Sequence, residues 1–492
     1  MRAEEDRPLD AVDGPEAGAP TGSVKRWSLL LVAVLLSLGL HLPGMIVHLF
    51  NSDEASLATM AMSINHGGRL YHDTADRKPP AVPYVYAAVF KATGSIDLRP
   101  VRAVGALVLA ATAVLLALEA ERRYRSRRAT WACLAFFLMG TVAFFPADTQ
   151  AAGFELFMLL PMTGAFVAAG RNRGALAGVC LALACLCKQT AIVTALPAAW
   201  LLYRSGGWRQ VVRCGVAGAA VIGVTALYFG PSEFLLWTVT GNGGYASLRG
   251  SIPATIWRGV SMTLSFIGIY LPLVLLAAYA ARRRLASVDL WLWLAGSALT
   301  VIVGLRFFGH YYLQILPPLV LLAVAAVDEI VPALRRLAAG FTAVATAILF
   351  AVAFLPADER GLLSYGAVAA QVKRMTSPDE TVFVWGEFPE IYWASGRDSA
   401  TRFIHTGFIT GRSGGRDEGI ARPSDGLPGA WDLLDDDFRS RPAALIVDTS
   451  EADIRGSKYF PLERTSLWER IRKDYVLVDT VDGVRFYRYT PS

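Results

Sequence analysis

The sequence predicts an α-helical polytopic membrane protein of about eleven transmembrane helices, followed by a small C-terminal extracytoplasmic α/β domain. Three observations lead there. Of 492 residues, 54% are hydrophobic and only 18% charged, with a mean hydropathy of +0.41, a balance suited to repeated bilayer crossings rather than one globular core. Arg and Lys clusters recur at every second turn between apolar runs. Beyond residue 356 the long apolar runs stop, and short strand and helix patterns replace them.

Residues 1–24 are rich in Ala, Gly, Pro and acids and read as a disordered tail. They are too long and acidic for a signal-peptide n-region, and no small-residue cleavage site follows the next apolar run. That run, 27–47, is the first span of a transmembrane domain covering 25–356. An outer loop, 48–100, separates it from span two at 101–118. Spans three to five follow at 130–145, 156–170 and 174–187. Span six returns to Arg204, Arg209 and Arg213, and span seven, 215–229, opens a loop containing Gly241 to Gly244. Span eight ends at Arg282 to Arg284, span nine at Arg306, span ten covers 313–327 and span eleven 340–355. Basic clusters precede span one and follow spans two, four, six, eight and ten, so they share one side. The positive-inside rule makes that side cytoplasmic, with the N-terminus on it and the 51–80 loop and C-terminal domain outside.

In residues 357–492, 381–385 and 443–447 read as buried strands. Helical patterns cover 387–395 and 431–438. Segments 475–480 and 484–489 flank Asp482-Gly483, a hairpin signal. The Gly-, Arg- and Ser-rich stretch 411–428 reads as a mobile loop. The five cysteines, Cys133, Cys180, Cys185, Cys187 and Cys214, all lie in or beside apolar stretches and suggest no disulfide framework. Cys185 and Cys187 are two residues apart and point to different sides of a helix, which suits apolar packing better than metal ligation.

The residues with chemistry concentrate in the loop 51–80. Asp53 and Glu54 lie just beyond span one. Leu57, Met60, Ala61 and Ile64 recur at helical spacing until Gly67-Gly68, and Lys78 precedes Pro79-Pro80, which force it toward extended backbone. The structural alternative for the acids is helix capping, with Asn51 and Glu54 as a capping-box-like pair. For Lys78 it is contact with lipid phosphates. Glu155, between Phe154 and Leu156, sits at the hydrocarbon boundary, where an acid is expensive and usually faces a cavity or partner. Asp148, farther into the same turn, reads as solvated polarity. Lys188 and Gln189 end span five, where snorkelling is the plain reading. Arg306 is the basic residue at the junction of spans nine and ten, with His310, Tyr311 and Tyr312 close behind; an aromatic interfacial belt would account for the tyrosines. Asp435 to Asp437 read as a solvated acidic helix face.

The acidic pair, the spacing through Gly67-Gly68 and Lys78-Pro79-Pro80 resemble the C-type glycosyltransferases that use lipid-linked sugars. These include dolichyl-phosphate-mannose protein mannosyltransferases and bacterial aminoarabinose lipid A transferases. Glu155 to Phe157, Gly178 to Gln189, and His310-Tyr311-Tyr312 through Pro317-Pro318 are similar to further segments of that group. The likeness covers about the first 320 residues; the C-terminal domain has no comparably sharp match.

The resemblance implies a polyprenyl phosphate carrying one sugar as donor, in a bacterial cytoplasmic membrane, with a lipid, glycan or protein as acceptor and no nucleic-acid partner. Asp53 is then the general base, with Glu155 and Glu54 orienting groups beside it. Lys78, assisted by Arg306 or Lys188, receives the phosphate, and His310, Tyr311, Tyr312 and Gln189 shape the substrate pocket. The expectation is no metal and no cofactor; the alternative is a divalent cation between Asp53 and Glu155. The rival class is a transporter or lipid flippase, which would also use many helices and intramembrane charges. Such proteins often carry internal repeats, and the 51–80 pattern occurs once. A third reading is a non-catalytic envelope assembly factor.

Overall fold

The computed structural model describes residues 25–242, 252–355, 365–411, 424, 426–452 and 460–491. The expected tail 1–24 and most of the expected loop 411–428 lie outside the described residues.

The helical part begins with α1 (Arg26–Leu40). The outer loop then folds into α2 (Ser52–Asn65), where the helical spacing predicts it, and α3 (Ala81–Thr93). Five apolar helices follow: α4 (Leu98–Tyr124), α5 (Arg127–Gly140), α6 (Phe154–Gly170), α7 (Gly174–Cys187) and α8 (Ala195–Phe229). α8 is two helices that meet at Gly207, whose non-helical φ of 65° and ψ of −169° are open to glycine without a Cβ penalty, so the expected boundary between spans six and seven falls there. The Arg204 to Arg213 turn is centred on that break. The bundle closes with α9 (Ile252–Ile269), α10 (Leu271–Arg282), α11 (Val288–Ile302), α12 (Leu316–Val324) and α13 (Pro332–Val352).

Among the described residues, four helical stretches are long and apolar enough to cross a bilayer: Leu98–Tyr124, Gln189–Phe229, Ile252–Ile269 and Pro332–Val352. Six more apolar helices are shorter. The bundle's outer surface exposes large apolar side chains, among them Leu227, Ile256, Leu264, Leu337 and Val344, as a lipid-facing surface requires. The basic turns gather at one end: Arg123 donates to Ser287 at 2.8 Å and pairs with Asp289 at 2.7 Å, and Arg128 reaches Asp328 at 3.4 Å.

The C-terminal part is a four-stranded sheet of order β1-β2-β4-β3, formed by β1 (Val382–Trp385), β2 (Leu445–Asp448), β3 (Tyr475–Val481) and β4 (Val484–Tyr489). β1 and β2 run parallel, and the other pairs are antiparallel. Asp482 and Gly483, with φ of 50° and 77°, make the β3–β4 hairpin turn that the sequence signals. Three helices pack on the sheet: Tyr365–Met375, Pro389–Ser395 and Ala430–Ser440. The first has no counterpart in the sequence reading. The acidic run 435–437 is solvated only at Asp436: Asp437 is buried and holds Arg402 at 2.6 Å, and Asp435 pairs with Arg470.

This domain rests on the outer loop. Ser52 Oγ donates to Glu390 at 2.7 Å, His66 Nδ1 lies 2.7 Å from Asp398, the Ala75 amide donates to the Arg402 carbonyl at 2.9 Å, and the Trp393 indole donates to the Ile96 carbonyl at 2.8 Å. The loop is held from the other side by a sealed ion pair. Arg102 from α4 grips Glu54 with Nε and Nη2 at 2.8 and 2.7 Å, and the two side chains are 2% and 0% exposed. Glu54 also accepts the amides of Ala152 at 2.9 Å and Phe50 at 3.3 Å, while Arg102 Nη1 donates to the carbonyls of Gly44 and Val47. Every charge-bearing atom is satisfied, which a buried pair needs.

Removing one member leaves an uncompensated buried charge. Glu54→Ala or Arg102→Met should each cost about 3–5 kcal/mol, seen as a lower unfolding temperature in detergent. The double variant should recover part of the loss.

Candidate active site

Because Asn51 caps α2 by accepting the Glu54 amide at 3.1 Å, Asp53 and Glu54 occupy the helix's first turn, where acids are favoured. Being adjacent on a helix, they point in different directions. Glu54 enters the bundle as described; Asp53 faces a cavity of about 810 Å³.

Lys78 meets Asp53 there, its Nζ 3.1 Å from the carboxylate, 3.8 Å from Asp76 and 4.3 Å above the Phe154 ring. The backbone carrying it is pinned by side chains. The Tyr71 hydroxyl donates to the Lys78 carbonyl at 2.9 Å, and Gln189 Nε2 donates to the Arg77 carbonyl at 2.8 Å. Tyr71 itself is buried with a φ of 72°, left-handed backbone that is strained for a tyrosine and held by its surroundings. Pro79-Pro80 then start α3.

A second charged group adjoins the first. Lys188, at the end of α7, is bonded to the buried carboxylate of Glu155 and lies 4.0 Å above the Tyr311 ring. His310 joins it, with Nε2 3.6 Å from Glu155 and Nδ1 2.5 Å from Asp148. The C-terminal domain supplies the roof through Glu387, His405 and Phe408. His405 stacks on Phe408 at 4.3 Å; burial, its largest influence, pushes its pKa below the ordinary value.

Burial is also the largest influence on Asp53 and would raise its pKa. The charges of Lys78 and His310 and the hydrogen bond from Lys78 more than offset it, and the carboxyl sits at about 2. It is therefore ionised at neutral pH, and a weak base while the lysine remains beside it.

Of the residues that sequence singles out, Asp53, Lys78, Lys188, Gln189, His310 and Tyr311 line one cavity. Glu155 does not line it but holds Lys188 and His310. Three expectations are corrected. Glu54 is engaged with Arg102 away from the cavity, so it acts as a positioning residue. Arg306 is fully buried and does not line the cavity, although Gly304 and Phe308 on either side do; positive φ at Gly304, Leu305 and Phe307 gives that turn its unusual path. Tyr312 turns into the bundle, with its hydroxyl 2.9 Å from Thr263. The capping-box pair forms only in part, since Glu54 accepts from Phe50 rather than Asn51. Asp148 is not solvated polarity, because it lines the cavity and holds His310. Asp76 and Arg77 were legible as neighbours of Lys78; Glu387 and His405 carried no signal. Among the described residues no group of three or more His, Cys, Asp or Glu is arranged to hold a metal ion. Asp53 and Glu155 each face a lysine.

Comparison with solved structures shows the same architecture. ArnT from Cupriavidus metallidurans bound to undecaprenyl phosphate superposes with a TM-score of 0.60 at 15% identity, over 94% of this chain and 97% of that one. Its apo state gives 0.61 at 13% identity, over 94% and 98%. The chain has the C-type glycosyltransferase fold. The Archaeoglobus fulgidus oligosaccharyltransferase, crystallised with Zn and sulfate, matches at 0.51 and 12% identity, over 94% of this chain and 73% of that one. Residues 77–237 match the dolichyl-phosphate-mannose-protein mannosyltransferase family, a segment that starts at Arg77 and contains Lys78, Asp148, Glu155 and Lys188. No curated relative matches the chain by sequence.

A carboxyl whose folded pKa lies below its unfolded one stabilises the fold above the unfolded value and loses that contribution as pH falls through the folded one. For Asp53 the window runs from the ordinary 3.8 down to about 2. The stability advantage of the wild type over Asp53→Asn, followed by thermal unfolding, should hold from pH 7 to about pH 5 and shrink below pH 4.

Proposed function

We propose that this protein is a membrane glycosyltransferase that moves one sugar from a polyprenyl-phosphate donor to an acceptor at the outer face of a bacterial cytoplasmic membrane. The observation that carries the reading is the 3.1 Å pairing of the Asp53 carboxylate with the Lys78 ammonium on the wall of the 810 Å³ cavity. Such a reaction takes a proton from the acceptor and releases a phosphate. One anion and one cation side by side are the two groups it needs.

The donor phosphate docks on Lys78, with Lys188 and Arg77 adding positive charge. Its arrival shares the ammonium between two anions. That weakens the main influence holding Asp53 at a low pKa, so donor binding restores basicity to the carboxylate at the moment it is required. Asp53 then accepts the proton of an acceptor hydroxyl or amine. The acceptor atom attacks the anomeric carbon and the carbon–oxygen bond to phosphate breaks. Polyprenyl phosphate leaves with the electron pair, and configuration inverts. The leaving group is a weakly basic phosphate monoester, so charge stabilisation serves it and no proton donor is required. Loop 51–80 and the α/β domain face outward, opposite the gathered arginine turns. No metal enters these steps.

Asp53→Asn protein that is folded and membrane-inserted should transfer sugar about 10²–10⁴-fold more slowly, measured with purified protein and a polyprenyl-phosphate sugar in detergent. Near-wild-type turnover would overturn the assignment. Lys78→Ala should raise the KM for donor far more than that for acceptor. Donor movement that needs an ion gradient and leaves the sugar–phosphate bond intact would identify a transporter instead.

A further inference from the structure

One wall of the cavity differs chemically from the rest. It is built where the 3-10 segment Gln189–Thr194, the end of α11 and the 3-10 segment Gly309–Ile315 meet. The cavity-lining residues from these segments and their flanks include Lys188, Thr190, Thr300, His310, Tyr311 and Gln314, and none is a carboxylate. Lys188 is neutralised by Glu155 and His310 is engaged by Asp148.

Thr190, Thr300 and Gln314 form one hydrogen-bonded group. Gln314 Nε2 donates to the Thr300 hydroxyl, Thr300 donates to the Ser297 carbonyl at 2.7 Å, and the Thr190 hydroxyl lies 3.4 Å from Gln314 Oε1. Gln314 is 2% exposed and Thr300 4%, inside a helical bundle where buried amides and hydroxyls are costly unless paired. A lipid chain gains nothing from such a surface. After these bonds Gln314 retains one N–H and one carbonyl lone pair. A donor beside an acceptor is what a hydroxyl group uses, since it gives one hydrogen bond and takes another. Tyr311 adds an aromatic side to the same wall.

Resting on the glycosyltransferase reading above, we propose that the Thr190–Thr300–Gln314 wall is the donor-sugar subsite, and that the sugar it takes is uncharged. An ammonium on the sugar would have to compete with Lys188 and His310 for Glu155 and Asp148, the carboxylates they already hold. A carboxylate on the sugar would be unable to approach Lys188 or His310 without displacing Glu155 or Asp148. Neutral hydroxyls meet the free amide donor and acceptor without either cost. The wall joins Lys188 through the continuous segment 188–190 and lines the same cavity as Asp53 and Lys78, so a sugar bonded to a phosphate at Lys78 and Lys188 has this wall within the same space.

The test compares polyprenyl phosphates carrying a neutral hexose, a neutral pentose, an amino sugar and a uronic acid, as donors for the purified full-length protein. Binding of sugar-free polyprenyl phosphate is measured in parallel. Wild type should use a neutral sugar at least about 10²-fold better in kcat/KM than either charged one, a modest part of the roughly 10⁴–10⁵-fold by which sites built to pair a hydroxyl can discriminate. Gln314→Ala should lower kcat/KM for the neutral donor by at least about 10-fold and leave binding of sugar-free polyprenyl phosphate unchanged. Gln314→Glu keeps the size of the side chain and should shift preference toward the amino sugar. Equal or better use of a charged sugar by wild type would overturn the proposal. So would a Gln314→Ala variant that keeps neutral-sugar transfer, or one that loses lipid-phosphate binding in step with it. Should no polyprenyl-phosphate sugar be consumed at all, the reading of the whole site fails, a result distinct from these.

Discussion

The Glu54–Arg102 ion pair fixes where the neighbouring carboxylate points. Both atoms of the acid and all of the guanidinium's principal donors are occupied by partners from α4, the segment after α1 and the loop before α6. Nothing in that arrangement is available to water or to a substrate. Rotating the first turn of α2 would unseat a buried charge, a larger penalty than a surface contact imposes. Asp53, one residue earlier, inherits a fixed position from a neighbour that does no chemistry.

The same loop is gripped from above by the α/β domain. Ser52, Thr59, His66 and Ala75 all bond to residues between 389 and 402. The loop is thus clamped between the helical bundle and the α/β domain, whose buried cores are continuous across it. This accounts for how the stretch beyond α2 holds a strained tyrosine and a half-buried lysine in register. The domain also completes the cavity, since Glu387, His405 and Phe408 belong to its wall.

Much of this was legible in the sequence, and the boundary is a physical one. Apolar runs and arginine clusters announce helices and their turns, because bilayer and charge impose them residue by residue. Pro79-Pro80 and Asp482-Gly483 announce local backbone. The Asp53–Lys78 pair was legible because loop length and motif brought both groups to one surface. Arg306 misled because a lone cation at a turn reads as accessible, whereas successive positive-φ residues around it change the path of the chain. Asp148 was missed for the opposite reason: its partner, His310, lies 162 residues away and only folding joins them. Glu387 and His405 belong to a domain whose docking partner is not written in its own periodicity.

The pinned carbonyls of Arg77 and Lys78 have a further consequence. With both peptide groups tied by Gln189 and Tyr71, the ammonium travels only as far as its own flexible stem allows. On the proposed reading a polyprenyl-phosphate headgroup would have to come to a fixed altitude above the bundle, and the protein would act as a gauge of how deeply such a carrier sits. Carriers of different tail length would present the same end to that gauge, so any preference among them would have to be exercised lower down, along the hydrocarbon.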